Sequence, residues 1–444
     1  MSTMERKEII RPVIDNPFLN IVELPGDTVK RDPEPLNAPN TDLHGSSPVL
    51  SKDVGLDPHK GTWQRLYIPK DVIINKKKLP LIVYYHGGGF VFNHANSSLY
   101  DVFCQGLVEK VGVMVISLEY RLAPENRLPA AYEDAVDGLR WVSSTHDEWV
   151  RNFADLDNCY LSGTSAGGNL AYFAGLRAAA AADELKPLNI KGMILHHPYF
   201  SGNTRSESEE RLKNDSILPL YAIDQMYGLC LPAGAGGNHE FRNPGVDGGS
   251  KHLEDIKRLG WRVLVTGCSD DPLVDAGKDC AKLLEGKGIP TTASFGDGYH
   301  AMEVFDHSMS GPLYHNSDLI HQIVRCCIAK FVAPPELSDC SGECALQRVG
   351  DNGDAKWNNE IGEVLENKEK ESDAPKSIPT IAPKSALNSA AVQESDDSSA
   401  ADSNHLPLEF LTFTSPQELP FGFKCSTQTL IPKTSRRRRR TCTE

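Results

Sequence analysis

Apolar positions in this chain fall in short continuous runs, separated by longer stretches with three- and four-residue periodicity. Residues 79–85 (LPLIVYY), 111–118 (VGVMVISL), 190–196 (IKGMILH) and 261–266 (WRVLVT) are apolar and largely β-branched, and 158–162 (NCYLS) is a shorter run of the same kind. Continuous rather than alternating, they read as strands covered on both faces. Helical patterns lie between them. Residues 130–143 carry Tyr132, Val136, Leu139 and Val142 at helical spacing, 167–182 are alanine-rich, and 274–286 and 318–332 are amphipathic. Strands alternating with helices predict an α/β fold around a parallel sheet.

Two segments interrupt that alternation. Residues 1–60 are polar and proline-rich, and residues 200–245 insert an apolar helix-like stretch, LPLYAIDQMYGLCLP, between a strand and the next strand–helix unit. Insertions of this kind commonly cover a site at the strand ends, so both are expected to form a lid over a domain spanning 1–333. Residues 334–444 change character, with acidic and Ser/Ala/Pro stretches, few aromatics and no sustained period. Such a composition buries too little apolar surface to offset ordering entropy, which predicts a disordered tail.

Charge and cysteine content narrow the function classes. Lys and Arg total 46 against 60 Asp and Glu, a formal net charge of −14. An acidic chain lacks the basic face that nucleic-acid binding requires, so no nucleic-acid partner is expected. No apolar run approaches the roughly 18–20 residues of a membrane span, and residues 1–18 show no secretory h-region. The 11 cysteines are odd in number and show no paired zinc spacing. A cytoplasmic location is expected. The five arginines at 436–440 would suit a nuclear address. Nothing in the sequence bears on oligomeric state.

Four local signals carry chemistry. Gly163-Thr164-Ser165-Ala166-Gly167 fits G-x-S-x-G and sits between a strand and a helix, where a tight turn would present the Ser165 hydroxyl at the sheet edge. His86-Gly87-Gly88-Gly89 follows the run 79–85. Its uncovered amides suit a developing oxyanion: Gly88 and Gly89 first, then Gly87, together with the amide of Ala166. His86 itself reads as an anchor for the loop. Asp270, Asp271 and Asp275 follow the run 261–266 and compete for one carboxylate role, and His300 follows the strand-like TTASF. Serine, acid and histidine in that order match a nucleophile, its orienter and its base. His196 and His197 are adjacent in a strand and point to opposite faces, so no metal site is expected. Phe92, Tyr199 and Tyr227 are expected in the pocket wall.

Together HGGGF, LEYRLAPE (118–125), GTSAGGN (163–169), DPLVD (271–275) and GYH (298–300) resemble the hormone-sensitive-lipase-like group of α/β-hydrolases. More narrowly, they resemble the plant carboxylesterases and their relatives, the gibberellin receptors. Residues 46–69 and HEFRNP (239–244) are similar to the same branch. The resemblance covers about residues 15–333 and leaves the tail unexplained. It implies an eight-stranded, mostly parallel sheet with an N-terminal lid, and assigns Ser165 as nucleophile, Asp271 as acid and His300 as base. The activity implied is hydrolysis of small-molecule carboxylic esters through an acyl-enzyme, with no cofactor. Two other readings accompany it: a hormone-like receptor that hydrolyses nothing, and a dehydratase or acyl-transfer relative using the same site. The receptors replace the histidine that this chain keeps at 300. The doubled acid, Asp270-Asp271, departs from the branch.

Overall fold

The computed structural model describes residues 12–14, 21–24, 28–31, 36–246, 248–308, 328, 331 and 332. Near the N-terminus β1 (Pro12–Ile14), β2 (Ile21–Leu24) and β3 (Thr28–Arg31) form a small antiparallel sheet. The main sheet has eight strands: β4 (Val49–Asp57), β5 (Thr62–Pro69), β6 (Leu79–Tyr85), β7 (Met114–Glu119), β8 (Ala154–Thr164), β9 (Ile190–His196), β10 (Arg262–Asp270) and β11 (Thr291–Tyr299). Their order is β11-β10-β9-β8-β6-β7-β5-β4. β5 runs antiparallel to both its neighbours, and every other pairing is parallel.

The helices are α1 (Val72–Asn75), α2 (Ser98–Val111), α3 (Ala130–Ser144), α4 (Glu148–Phe153), α5 (Ala166–Ala180), α6 (Glu207–Arg211), α7 (Leu220–Cys230), α8 (Leu253–Arg258), α9 (Val274–Gly286) and α10 (Met302–Ser308). The two-residue period of β6 divides the core between them. Leu81, Val83 and Tyr85 belong to one core cluster with Leu139 of α3, Leu170 of α5 and Leu284 of α9, whereas Ile82 and Tyr84 belong to a second with Phe103 and Leu107 of α2 and Val304 of α10. Each such buried side chain contributes about 1.5–3 kcal/mol relative to exposure. Helices therefore cover both faces, as the continuous apolar runs predict.

The predicted strands are all present, but the hairpin β4–β5 is an addition. β5 reads TWQRLYIP, and its Gln64 and Arg65 disguise a strand that is buried along most of its length. Arg65 is 2% exposed; its guanidinium donates to Asp53 at 2.6 Å and to Asp101 at 3.1 Å. Tyr67 donates to the same Asp101 at 2.9 Å. A buried charge is tolerated when it is paired and hydrogen-bonded, which is invisible in a hydropathy pattern. Residues 49–57 thus belong to the sheet rather than to the expected 1–60 lid. Arg31 of β3 donates to Val91 O, to Ala123 O at 2.8 Å and to Glu125 at 2.8 Å, tying the N-terminal segment to the loops after β6 and β7. The expected tail 334–444 lies outside the described residues, as does the expected helix 318–332 apart from Ile328, Phe331 and Val332.

Register positions the site. Thr164 of β8 stands opposite His196 of β9, which stands opposite Thr266 of β10. Tyr85 of β6 stands opposite Gly163. The strands end together, so the residues following each of them converge on one edge of the sheet, where open α/β sheets place their ligands.

Candidate active site

The turn from β8 to α5 is built around Ser165, whose φ of 58° and ψ of −118° are unusual for a residue with a side chain. Holding a non-glycine residue there costs about 1–3 kcal/mol and persists only where the surroundings over-determine it. They do so here. Ser165 N donates to His196 O at 2.9 Å, and Ser165 O accepts from Tyr199 N at 2.9 Å. A Cβ at Gly163 would overlap the Gly167 carbonyl, and one at Gly167 would overlap the Tyr85 carbonyl. Asn169, fully buried one turn later, donates to Tyr199 O at 2.9 Å and Phe241 O at 2.8 Å and accepts from Tyr132 at 2.8 Å.

The three expected side chains meet. His300 Nε2 is 3.0 Å from Ser165 Oγ, and His300 Nδ1 is 3.0 Å from Asp271 Oδ2. With Nδ1–H donating to the carboxylate, Nε2 is left to accept the serine hydroxyl proton. Asp271 is wholly buried, and its Oδ1 accepts from Leu273 N at 2.8 Å. Burial works to raise its pKa, but the facing His300 and His197 outweigh that and hold the carboxyl well below the usual range. The competing acids are elsewhere. Asp270 is exposed and pairs with Arg211 at 3.4 Å, and Asp275 accepts from Ser208 N at 2.8 Å.

A cavity of about 140 Å³ opens over Ser165 and His300, lined by Gly88, Gly89, Leu218, Met226 and Phe305 among others. Hollows of about 300 and 530 Å³ elsewhere touch none of the three residues. Gly88 and Gly89 have φ of 116° and 62°, and a Cβ would overlap the Phe92 carbonyl at Gly88 and Met226 Sδ at Gly89. Only glycine lets this loop pass so close. Gly87 does not line the cavity; Tyr100 Oη and the Thr164 carbonyl crowd the space its Cβ would take. Ala166 begins α5 directly after Ser165, at the positive end of the helix dipole.

The expected wall residues Phe92, Tyr199 and Tyr227 are not in the wall. Tyr199 and Tyr227 stack at 4.3 Å and turn their hydroxyls to the Ile223 and Tyr199 carbonyls, which places them in the core beneath. Phe92 is likewise in the core. Their place is taken by Ile217, Leu218 and Met226 of the 200–245 insertion.

His86 anchors its loop as expected: it is fully buried, donates from Nδ1 to Gly87 O at 2.9 Å and stacks on Tyr120 at 4.2 Å. His197 and Glu303 were not singled out by motif. His197 Nδ1 lies 2.6 Å from Asp271 Oδ2. Its position one residue past β9, matching that of Ser165 past β8, was the available signal. Among the described residues, the donor atoms of His197, Asp271 and His300 all lie within 4.8 Å of one another, a spacing also open to a metal ion. The two hydrogen bonds to Asp271 account for that grouping.

Buried titratable groups make the fold acid-sensitive. Burial lowers the pKa of His86 and of His196 from 6.5 to about 4. Between those values the unfolded chain binds protons that the folded one refuses, so stability falls as pH falls. Burial works to raise Glu303, but His197 outweighs it and sets the carboxyl at about 2 against an ordinary 4.5. Its contribution is present above 4.5 and is lost as pH falls toward 2. Thermal melts should therefore show Tm already lower at pH 4.5 than at pH 6.5; equal values would contradict this assignment.

Comparison with known proteins agrees with the fold. A family described as alpha/beta hydrolase fold matches residues 82–303. Carboxylesterase 20 of Arabidopsis thaliana is 44% identical over 304 residues, covering 67% of this chain and 93% of that protein. The 3-O-acetylpapaveroxine carboxylesterase CXE2 of Papaver somniferum is 39% identical over 267 residues, 58% of this chain and 85% of that one. Among solved structures, the hyperthermophilic esterase of the archaeon Pyrobaculum calidifontis superposes with a TM-score of 0.52 at 26% identity, covering 64% of this chain and 84% of that one.

Proposed function

The chain belongs to the α/β-hydrolase fold family, in its plant carboxylesterase branch, and is a carboxylic ester hydrolase; from that premise we propose that Ser165, His300 and Asp271 are its catalytic triad. The observation that carries the assignment is the unbroken line Ser165 Oγ–His300–Asp271, with 3.0 Å at each step, beneath an open cavity. His300 Nε2 takes the hydroxyl proton as Ser165 Oγ attacks the ester carbonyl. The carbonyl π electrons move onto oxygen, and the amides of Gly88, Gly89 and Ala166 receive that oxyanion. Asp271 keeps the Nδ1–H tautomer and stabilises the imidazolium. The C–O bond to the alcohol then breaks, His300 returns the proton to the leaving oxygen, and an acyl-enzyme remains. Water, deprotonated by His300, attacks the acyl carbon and regenerates Ser165.

Small-molecule esters suit the cavity, whose Leu99, Ile217, Leu218, Met226 and Phe305 offer apolar contacts around a volume of about 140 Å³. The Papaver somniferum relative is named for an acetyl ester, and a compact acyl group is what such a volume accommodates. Ile217, Leu218 and Met226 come from the 200–245 insertion, which supports reading it as the lid. The described cysteines are free and buried, which supports a reducing, cytoplasmic location. No described helix is long and apolar enough to cross a membrane.

A fluorophosphonate probe tests the assignment, because it reacts only with an activated serine. Mass spectrometry should find the adduct on Ser165, and the Ser165→Ala protein should remain unlabelled. A protein that merely bound a small molecule would resist the probe, and absence of label from the wild type would refute the triad.

A further inference from the structure

A second imidazole reaches the triad carboxylate from behind. His197 Nδ1 is 2.6 Å from Asp271 Oδ2, the same oxygen that His300 Nδ1 approaches to 3.0 Å. The other His197 nitrogen, Nε2, is 3.1 Å from Glu303 Oε2. Glu303 Oε1 accepts from Thr164 at 3.0 Å, and Thr164 Oγ1 accepts from Tyr84 at 3.0 Å. All of these groups are buried. A ring with a carboxylate oxygen at each nitrogen must donate from both, which makes it an imidazolium. Burial disfavours that charge, but Glu303 and Asp271 outweigh it and raise the His197 pKa well above the ordinary value. The backbone at His197 is left-handed, with φ 43°, and His197 N donates to Thr266 O at 2.9 Å. A strained backbone held in this way aims the ring at the site.

We propose that His197 is a positioning residue for the hydrolysis: clamped between Glu303 and Asp271, it holds Asp271 against His300 and sets a fixed positive charge behind the base. This rests on the triad assignment above. Two donors share one carboxylate oxygen, so less of its basicity is left for His300. A fixed cation whose ring centroid is 5.6 Å from that of His300 also opposes a second positive charge there. The groups facing His197 are Asp271 after β10, the Cys268 thiol of β10 at 3.9 Å, Glu303 of α10 and His300 before it. His196, its neighbour on β9, turns away to Thr266 at 2.8 Å. The arrangement also explains why Glu303 is buried: it balances the charge that His197 brings.

The test is kcat/KM for a short-chain nitrophenyl ester as a function of pH, in wild type, His197→Gln and the double variant His197→Gln/Glu303→Gln. The acid limb of such a profile reports protonation of the free enzyme's base. In His197→Gln it should move up by about one pH unit, with the alkaline plateau within about tenfold of wild type. In the double variant it should move up by less, because the distant negative charge is removed as well. The single change strands Glu303 in the interior; the double replaces an ion pair by two amides and carries the test if the single does not fold. A wild-type limb in the folded variants, or a fallen plateau with the limb unmoved, would overturn the proposal, since a merely structural role gives the latter. The wild type supplies an independent check. Spectra of ¹⁵N-histidine-labelled protein should contain an imidazole protonated on both nitrogens at about pH 8, above the ordinary range of histidine, and its absence overturns the proposal whatever the variants do. Failure of the triad assignment would appear separately, as an unlabelled Ser165 in the fluorophosphonate experiment.

Discussion

Ser165→Ala should lower kcat for a short-chain nitrophenyl ester by about a million-fold, the loss measured when the nucleophile of a comparable triad is removed. The change deletes one oxygen atom and keeps the Cβ, so the turn loses nothing that holds it. Ser165 N still donates to His196 O, and Gly163 and Gly167 still make room for the close approach of backbones. Among the described residues, the only side-chain partner lost is His300 Nε2 at 3.0 Å. The variant should melt within a few degrees of wild type, since one hydrogen bond contributes about 1 kcal/mol. Activity, melting temperature and probe labelling, measured on the same preparation, check this together. Residual turnover above about one part in a hundred in a folded variant would reassign the nucleophile.

Asp271→Asn should cost about 10⁴ in kcat, with a much smaller change in KM. An asparagine amide turned toward His300 Nδ1 donates where the carboxylate accepted. The ring then protonates at Nε2 and can no longer take the serine proton. The same substitution removes a negative charge facing two imidazoles, His300 at 3.0 Å and His197 at 2.6 Å. Asp270→Asn is the matched control. Its carboxylate is exposed and, among the described residues, pairs with the exposed Arg211 at 3.4 Å; such a pair contributes little to stability, so turnover should stay within about twofold of wild type. Comparable losses at the two adjacent positions would place the acid elsewhere.

The contrast between neighbouring acids shows where sequence reading stops. Asp270, Asp271 and Asp275 all follow one strand, and no local rule separates them. Resemblance favoured Asp271, and the fold explains the preference: Asp270 ends the strand facing solvent, Asp271 turns inward, and Asp275 serves the backbone of α6 through Ser208 N. The strands β6 and β9 fall where the apolar runs put them, because a segment covered on both faces leaves its mark on every residue, and α9 falls where its one-sided helical period put it. The hairpin strand β5 did not stand out, because it carries Gln64 and Arg65 in mid-strand, and the Arg65 charge is buried only by pairing with Asp53 and Asp101 of other segments.

The pocket wall follows the same logic. Tyr199 and Tyr227 are large, amphipathic and near the site in sequence, yet their hydroxyls find carbonyls within the core, while Leu218 and Met226 reach the cavity. Which face of an inserted segment turns toward a site depends on how the whole segment packs.

The linear chain alone determined the layered α/β architecture, the turn that presents Ser165, the glycine loop after β6 and the order of serine, acid and histidine along it. Each of these is written in contiguous residues, because periodicity and backbone conformation are local properties. Tertiary structure decided which aspartate faces His300, which side chains enclose the cavity, and that His197 and Glu303 stand behind the carboxylate. Those contacts join separate strand ends that meet only once the parallel strands are in register, and a contact between distant segments leaves no periodic trace in either of them.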